Sequence, residues 1–110
     1  MKRAFLALVP GMAAALAAVS ATGQEAQGSA GKALFEQRCA LCHNDRGFGT
    51  RVLARRVPEG QAMLENRPNL AAPFITVVVR RGIGSMPPIR EAELSEADLA
   101  AIAAYLEGSR

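Results

Sequence analysis

The sequence predicts an all-α domain of three to four short helices, packed around a bulky apolar object that the chain does not itself supply. Three observations lead there. First, residues recur at helical spacing in two segments: Gly31, Leu34, Phe35 and Arg38 in one, and Leu99, Ile102, Ala103 and Leu106 in the other. Second, the β-branched run Ile75-Thr76-Val77-Val78-Val79 has no partner run elsewhere, and a lone strand leaves its backbone polar groups unsatisfied. Third, core-building material is short. The 110 residues include no Trp, one Tyr, four Phe and two Cys. A chain of this size buries little apolar surface by itself. Its two cysteines lie three positions apart, so a bridge between them would tie no distant segments together.

The chain opens on Met1-Lys2-Arg3, continues through an Ala-rich apolar run from Ala4 to Val19, and reaches the small residues Ser20-Ala21-Thr22-Gly23. That layout predicts a cleaved signal peptide over residues 1–21. The run is too short and too weakly apolar for a spanning helix, so no stable membrane anchor is expected. A polar linker over 22–28 and a single domain over 29–110 follow. Removing the signal takes Lys2 and Arg3 with it and lowers the net charge of +3 by two. Without basic runs interleaved with aromatics, a nucleic-acid partner is not expected.

Within the domain, Ser29 is placed to cap a helix from about Ala30 to Cys39. Residues 44–72 are polar and weakly periodic, with a short helix expected around Glu59 to Glu65. Pro73 opens and Gly82 closes a helix that overrides the β-branched propensity of its middle. A Gly- and Pro-rich loop from Gly82 to Ile89 surrounds Met86. The final helix carries the fullest signals: Ser95 as N-cap with Asp98 in a capping box, Leu94 against Leu99 as a staple, and Gly108 at its end.

The chemistry gathers in Cys39-Ala40-Leu41-Cys42-His43. A Cys-x-x-Cys-His pentapeptide reads as c-type haem attachment. Two thiols at this spacing reach neighbouring vinyl groups of one porphyrin and form thioether bonds, and the adjacent imidazole then reaches the iron. A zinc site would need a fourth ligand, and the chain has no other Cys or His. A redox-active Cys-x-x-Cys expects a βαβ context, which is missing. His43 is the only histidine, so a second histidine ligand within the chain is excluded, and among the axial pairs that suit electron transfer a methionine is the favoured candidate. Met86, in Gly84-Ser85-Met86-Pro87-Pro88, stands on a stiff turn. Met63, between Ala62 and Leu64, reads as packing. Arg51 and Arg55 are candidate contacts for the haem propionates. Arg80, Arg81 and Arg90 flank the Met86 loop. Glu91, Glu93, Glu96 and Asp98 lie near the N-terminus of the last helix, where acidic residues are favourable.

From about Gly31 to Leu106 the chain resembles the class I c-type cytochromes. The resemblance implies the class I cytochrome c fold, with an N-terminal helix leading into Cys-x-x-Cys-His and a C-terminal helix crossing it. Gly31, Phe35 and Tyr105 match the family's close crossing. The resemblance also implies one covalent haem c, its iron held by His43 and Met86, and a periplasmic one-electron carrier that is not itself an enzyme. One departure is that many members carry Gly-Pro after the motif, where this chain has Gly49-Thr50-Arg51-Val52-Leu53. Any backbone carbonyl can accept the imidazole N–H, so ligation survives and the residue orienting His43 stays open. More narrowly, Val78-Val79-Arg80-Arg81-Gly82 running into Gly84-Ser85-Met86-Pro87 is similar to the small cytochrome subunit of flavocytochromes such as p-cresol methylhydroxylase. That implies a flavoprotein dehydrogenase as electron donor, against the alternatives of an ordinary soluble carrier or another dehydrogenase's cytochrome; a terminal oxidase or another cytochrome is the expected acceptor. A reading from another class is a haem-based sensor or catalyst in which a small molecule displaces Met86.

Overall fold

The computed structural model describes residues 15–109. In chain order it contains α1 (Ala15–Arg38), α2 (Ala40–His43), α3 (Phe48–Leu53), a 3-10 turn (Leu64–Asn66), α4 (Ala72–Arg81) and α5 (Glu96–Gly108). No strand occurs among the described residues. An isolated antiparallel bridge between Ile83 and Met86 is the one β-type pairing there. The architecture is all-α as expected, with five α-helices in place of three to four. The expected signal peptide falls chiefly on residues outside those described. No helix of the described residues is long and apolar enough to cross a membrane.

The frame is the crossing of α1 and α5. Leu99, Ile102, Ala103 and Leu106 are all buried, and they meet Phe35 from α1. Gly31 makes the approach close enough. A Cβ there would overlap the Ala101 carbonyl oxygen and stand 2.8 Å from Tyr105 Cβ. The rings of Phe35 and Tyr105 pack with centroids 6.0 Å apart and planes tilted by 51°, within the favourable range for an aromatic pair. Tyr105 also donates its hydroxyl to the Glu65 carboxylate. Burial, followed by that carboxylate, pushes the phenol up to about 12.

Ser95 caps α5 as expected, its hydroxyl accepting the Asp98 N–H at 3.1 Å. Gly82 ends α4 at φ +72°. The β-branched run is helical, because Ile75 and Val79, one turn apart, bury together against the core. Ala71 offers no side-chain cap to α4. Instead Glu107 of α5 accepts the Ala72 N–H at 3.0 Å.

Three expectations are corrected. Residues 22–28 are helical, part of α1, in place of a polar linker. Gln24, Glu25, Ala26 and Gln27 are good helix formers and continue the helix between Gly23 and Gly28. Ser29 is accordingly inside the helix, and its hydroxyl donates to the Ala26 carbonyl at 2.9 Å instead of capping. The helix expected over 59–65 is a series of turns, since Gly60 sits at φ +81° and only the 3-10 turn follows. In exchange, α3 forms where the sequence shows weak periodicity.

Candidate cofactor site

The pentapeptide is wound into one turn after α1. The Cys39 carbonyl accepts from Cys42 N–H at 3.1 Å and His43 N–H at 3.0 Å. That winding carries Cys39, Cys42 and His43 to the same cavity. Cys39 is half-buried and Cys42 exposed, and no disulfide joins them. Burial, and then the neighbouring Cys42, pushes the Cys39 thiol up to about 11. A redox-active Cys-x-x-Cys requires the opposite, a readily formed thiolate.

His43 is half-buried. Desolvation holds its imidazole below the ordinary histidine range, so the ring is neutral near pH 7, the form in which imidazole ligates a metal. Its Nδ1 is shut away from solvent and has no hydrogen-bond partner among the described residues. Gly49 of α3 lies against the ring. A Cβ there would come within 2.9 Å of Cε1 and 3.2 Å of Nδ1. The stretch that departs from the Gly-Pro pattern thus packs Gly49 against one side of the imidazole.

Met86 arrives from the other end of the domain. Ile83 and Met86 exchange backbone hydrogen bonds at 3.0 and 2.9 Å around the turn Gly84-Ser85. Gly84 takes φ +55°. A Cβ at Gly82 would stand 2.6 Å from the Met86 carbonyl oxygen and 2.9 Å from Pro88 N, so the loop folds back tightly on the end of α4. Beyond it, Ile89 N–H donates to Val79 O at 2.8 Å. Arg80 locks this return. Its guanidinium donates to the Ile89 carbonyl at 3.0 Å, the Leu94 carbonyl at 2.9 Å and the Glu96 carboxylate, its Nη2 lying 2.8 Å from that acid. Arg80 therefore belongs to the framework of the Met86 loop and not to a solvated ring of charge. Met86 lines the cavity and Met63 does not.

The cavity holds about 300 Å³, at the lower end of the roughly 300–1,000 Å³ typical of cofactor clefts. Six of the nine buried apolar residues line it: Phe35, Leu70, Ile75, Val79, Ile102 and Leu106. The core is thus one wall of a cavity whose other lining includes the exposed apolar side chains Phe48, Phe74 and Ile83, which a large apolar group would cover. Among the described residues, Arg56 and Arg67 are the charged side chains that reach the lining, and no carboxylate does. Arg51 and Arg55 lie elsewhere: Arg51 donates to the Arg46 carbonyl and is exposed, and Arg55 is exposed. Arg56 and Arg67 carried no sequence signal of their own. One is the neighbour of Arg55, and the other precedes Pro68 in an aperiodic stretch.

An apolar cavity with two thiols, a neutral imidazole, a thioether and two guanidiniums fits a haem with its two propionates. No curated protein and no solved structure matches the chain. The family described as cytochrome C oxidase, cbb3-type, subunit III matches residues 26–106, most of the chain. The chain belongs to that family, as a class I monohaem c-type cytochrome carrying covalently bound haem c with its iron.

Proposed function

We propose that this haem-based electron carrier works in the periplasm, with Cys39 and Cys42 forming the thioether bonds and His43 and Met86 ligating the iron. The haem supplies reversible one-electron chemistry between ferric and ferrous iron. The protein moves electrons between redox partner proteins and does not transform a substrate. The observation that carries the ligand assignment is the convergence of Cys39, Cys42, His43 and Met86 on one apolar cavity from which Met63 is excluded. A thioether opposite an imidazole raises the reduction potential and suits electron transfer. Gly49 packs against the imidazole and Arg80 braces the Met86 turn, which supports both residues as ligands.

The leader at residues 1–21 supports export, which thioether formation in an oxidising compartment also requires. For the donor we favour a flavoprotein dehydrogenase, on the likeness of the loop from Val78 to Pro87, and for the acceptor a terminal oxidase or another cytochrome. The test of ligation is the pair Met86→Ala and Met63→Ala. Met86→Ala should keep the haem attached, abolish the weak far-red band of methionine–iron bonding, change the spin state and lower the potential. Met63→Ala should retain the wild-type spectrum and potential. The reverse pattern would overturn the assignment.

A further inference from the structure

Arg67 is anomalous. A guanidinium carries a permanent charge and five donors, and burying any of them without an acceptor is unfavourable. Yet Arg67 Nε is out of solvent and has no partner, the one arginine nitrogen in that condition among the described residues. The side chain is half-buried, and it lines the cavity. The other arginines whose contacts are known are accounted for. Arg80 is held by two carbonyls and Glu96, Arg51 by a carbonyl, Arg46 lies 3.7 Å from Asp45 and Arg90 lies 3.7 Å from Glu93.

The cavity asks for the complementary group. Its charged lining is Arg56 and Arg67 alone. The other titratable groups facing it are the thiols of Cys39 and Cys42 and the imidazole of His43, from the turn after α1 and from α2. No acid reaches it from α3, α4, α5 or the Met86 loop. A half-buried cation with one buried, unmet donor, in a cavity that no described acid lines, fits a carboxylate brought in by the ligand.

We infer that Arg67 is the buried counter-charge of a haem propionate, with Arg56, exposed at the cavity lining, available to the other. This rests on the haem occupying this cavity. Arg67 presents Nε–H beside its terminal amino groups, the edge that pairs with a carboxylate through two parallel hydrogen bonds. Its positive charge keeps that propionate ionised across the neutral range. It also offsets a negative charge that would otherwise favour ferric iron. Arg67 is a positioning residue and takes no part in iron ligation.

The test uses exported holoprotein and reads the reduction potential against pH. Wild type should be nearly flat from pH 5 to 8, because the paired propionate does not titrate there. Arg67→Gln should lower the potential at pH 8, where an unpaired anion remains near the iron. It should also introduce a slope, the potential rising as pH falls and one proton binds with the electron. Arg67→Lys should restore most of the flatness. Arg51→Gln and Arg55→Gln should behave as wild type. A flat, unshifted profile for Arg67→Gln, or a new slope in Arg51→Gln or Arg55→Gln instead, overturns the inference. Should Arg67→Gln not assemble, the ferrous wild-type protein decides by NMR. Cross-peaks between the Arg67 Nε–H and the propionate methylenes support the pairing, and an Nε–H that exchanges freely with water excludes it. A wild-type protein without covalent haem would instead remove the reading of the cavity itself, an outcome visible before any variant is made.

Discussion

A single hydrogen at Gly31 decides how closely the two long helices approach. The ideal Cβ of any other residue there would collide with backbone, the Ala101 carbonyl, which no rotamer change relieves. Gly28 lies on the same helix with nothing within 4 Å of its Cβ direction, so the two positions separate packing from propensity. Gly28→Ala should stabilise the holoprotein by up to about 1 kcal/mol through helix propensity alone. Gly31→Ala gains the same propensity but must part the helices, and should destabilise by about 1–3 kcal/mol net. Thermal melts decide it, at roughly 4–8 °C per kcal/mol for a domain of this size. Equal stabilisation by both would show that the crossing tolerates a side chain. At this scale the sequence is readable where chemistry is local. Cys39, Cys42, His43, Met86 and Gly31 announce themselves through spacing or neighbours. The arginines do not, because which of Arg51, Arg55, Arg56 and Arg67 faces the cavity depends on the path of the chain between α2 and α4, and charge alone carries no direction.

Among the elements, α4 and the Met86 loop act as one unit held by Arg80. Two main-chain carbonyls, Ile89 O and Leu94 O, and the Glu96 carboxylate at the start of α5 all take donors from one guanidinium whose side chain is 20% exposed. Replacing it with Met keeps much of the apolar stem but leaves partly buried carbonyls without donors. Arg80→Met should cost about 2–4 kcal/mol, the range for losing charge-assisted bonds while stranding their acceptors. The cost should fall first on Met86. On warming, the far-red methionine–iron band should disappear before the helical circular dichroism does, whereas in wild type the two should fade together. Coincident transitions in the variant would mean that Arg80 stabilises the whole domain and not the loop. The elements also show what periodicity can and cannot convey. The stretch in α4 reads locally as strand, and its helix was legible only by excluding any pairing partner. The segment α3 is short, starts from Gly47-Phe48-Gly49, and owes its form to contact with α2 and the His43 ring, so nothing within it predicts a helix. Residues 59–65 look helical until Gly60 takes a left-handed conformation.

For the molecule as a whole, the central fact is that core and cavity share a wall. Six of the nine buried apolar side chains line the space that the haem fills. Phe48, Phe74 and Ile83 line the same space and are 54%, 50% and 59% exposed, so without the haem these three meet water. Burying one large aliphatic or aromatic side chain is worth about 1.5–3 kcal/mol, so leaving these three about half-exposed forfeits roughly 2–5 kcal/mol, a large share of the roughly 5–15 kcal/mol that keeps a small domain folded. No disulfide replaces the loss, since Cys39 and Cys42 are not joined to each other and are committed to the cofactor in our reading. Met86 and His43, the ends of two separate segments, would also lose the iron that joins them. Folding and haem attachment should therefore be one event. A chain expressed without residues 1–21, in a compartment lacking haem c assembly, should be colourless and should melt without a cooperative transition by circular dichroism. The exported chain should be red and should melt cooperatively, with its haem retained after denaturation because the thioether bonds survive unfolding. Helical signal alone would not count against this, since α1 and α5 carry strong local signals of their own. The decisive observation is cooperativity: a colourless chain that unfolds in one sharp step would show that the apolar core stands without its prosthetic group.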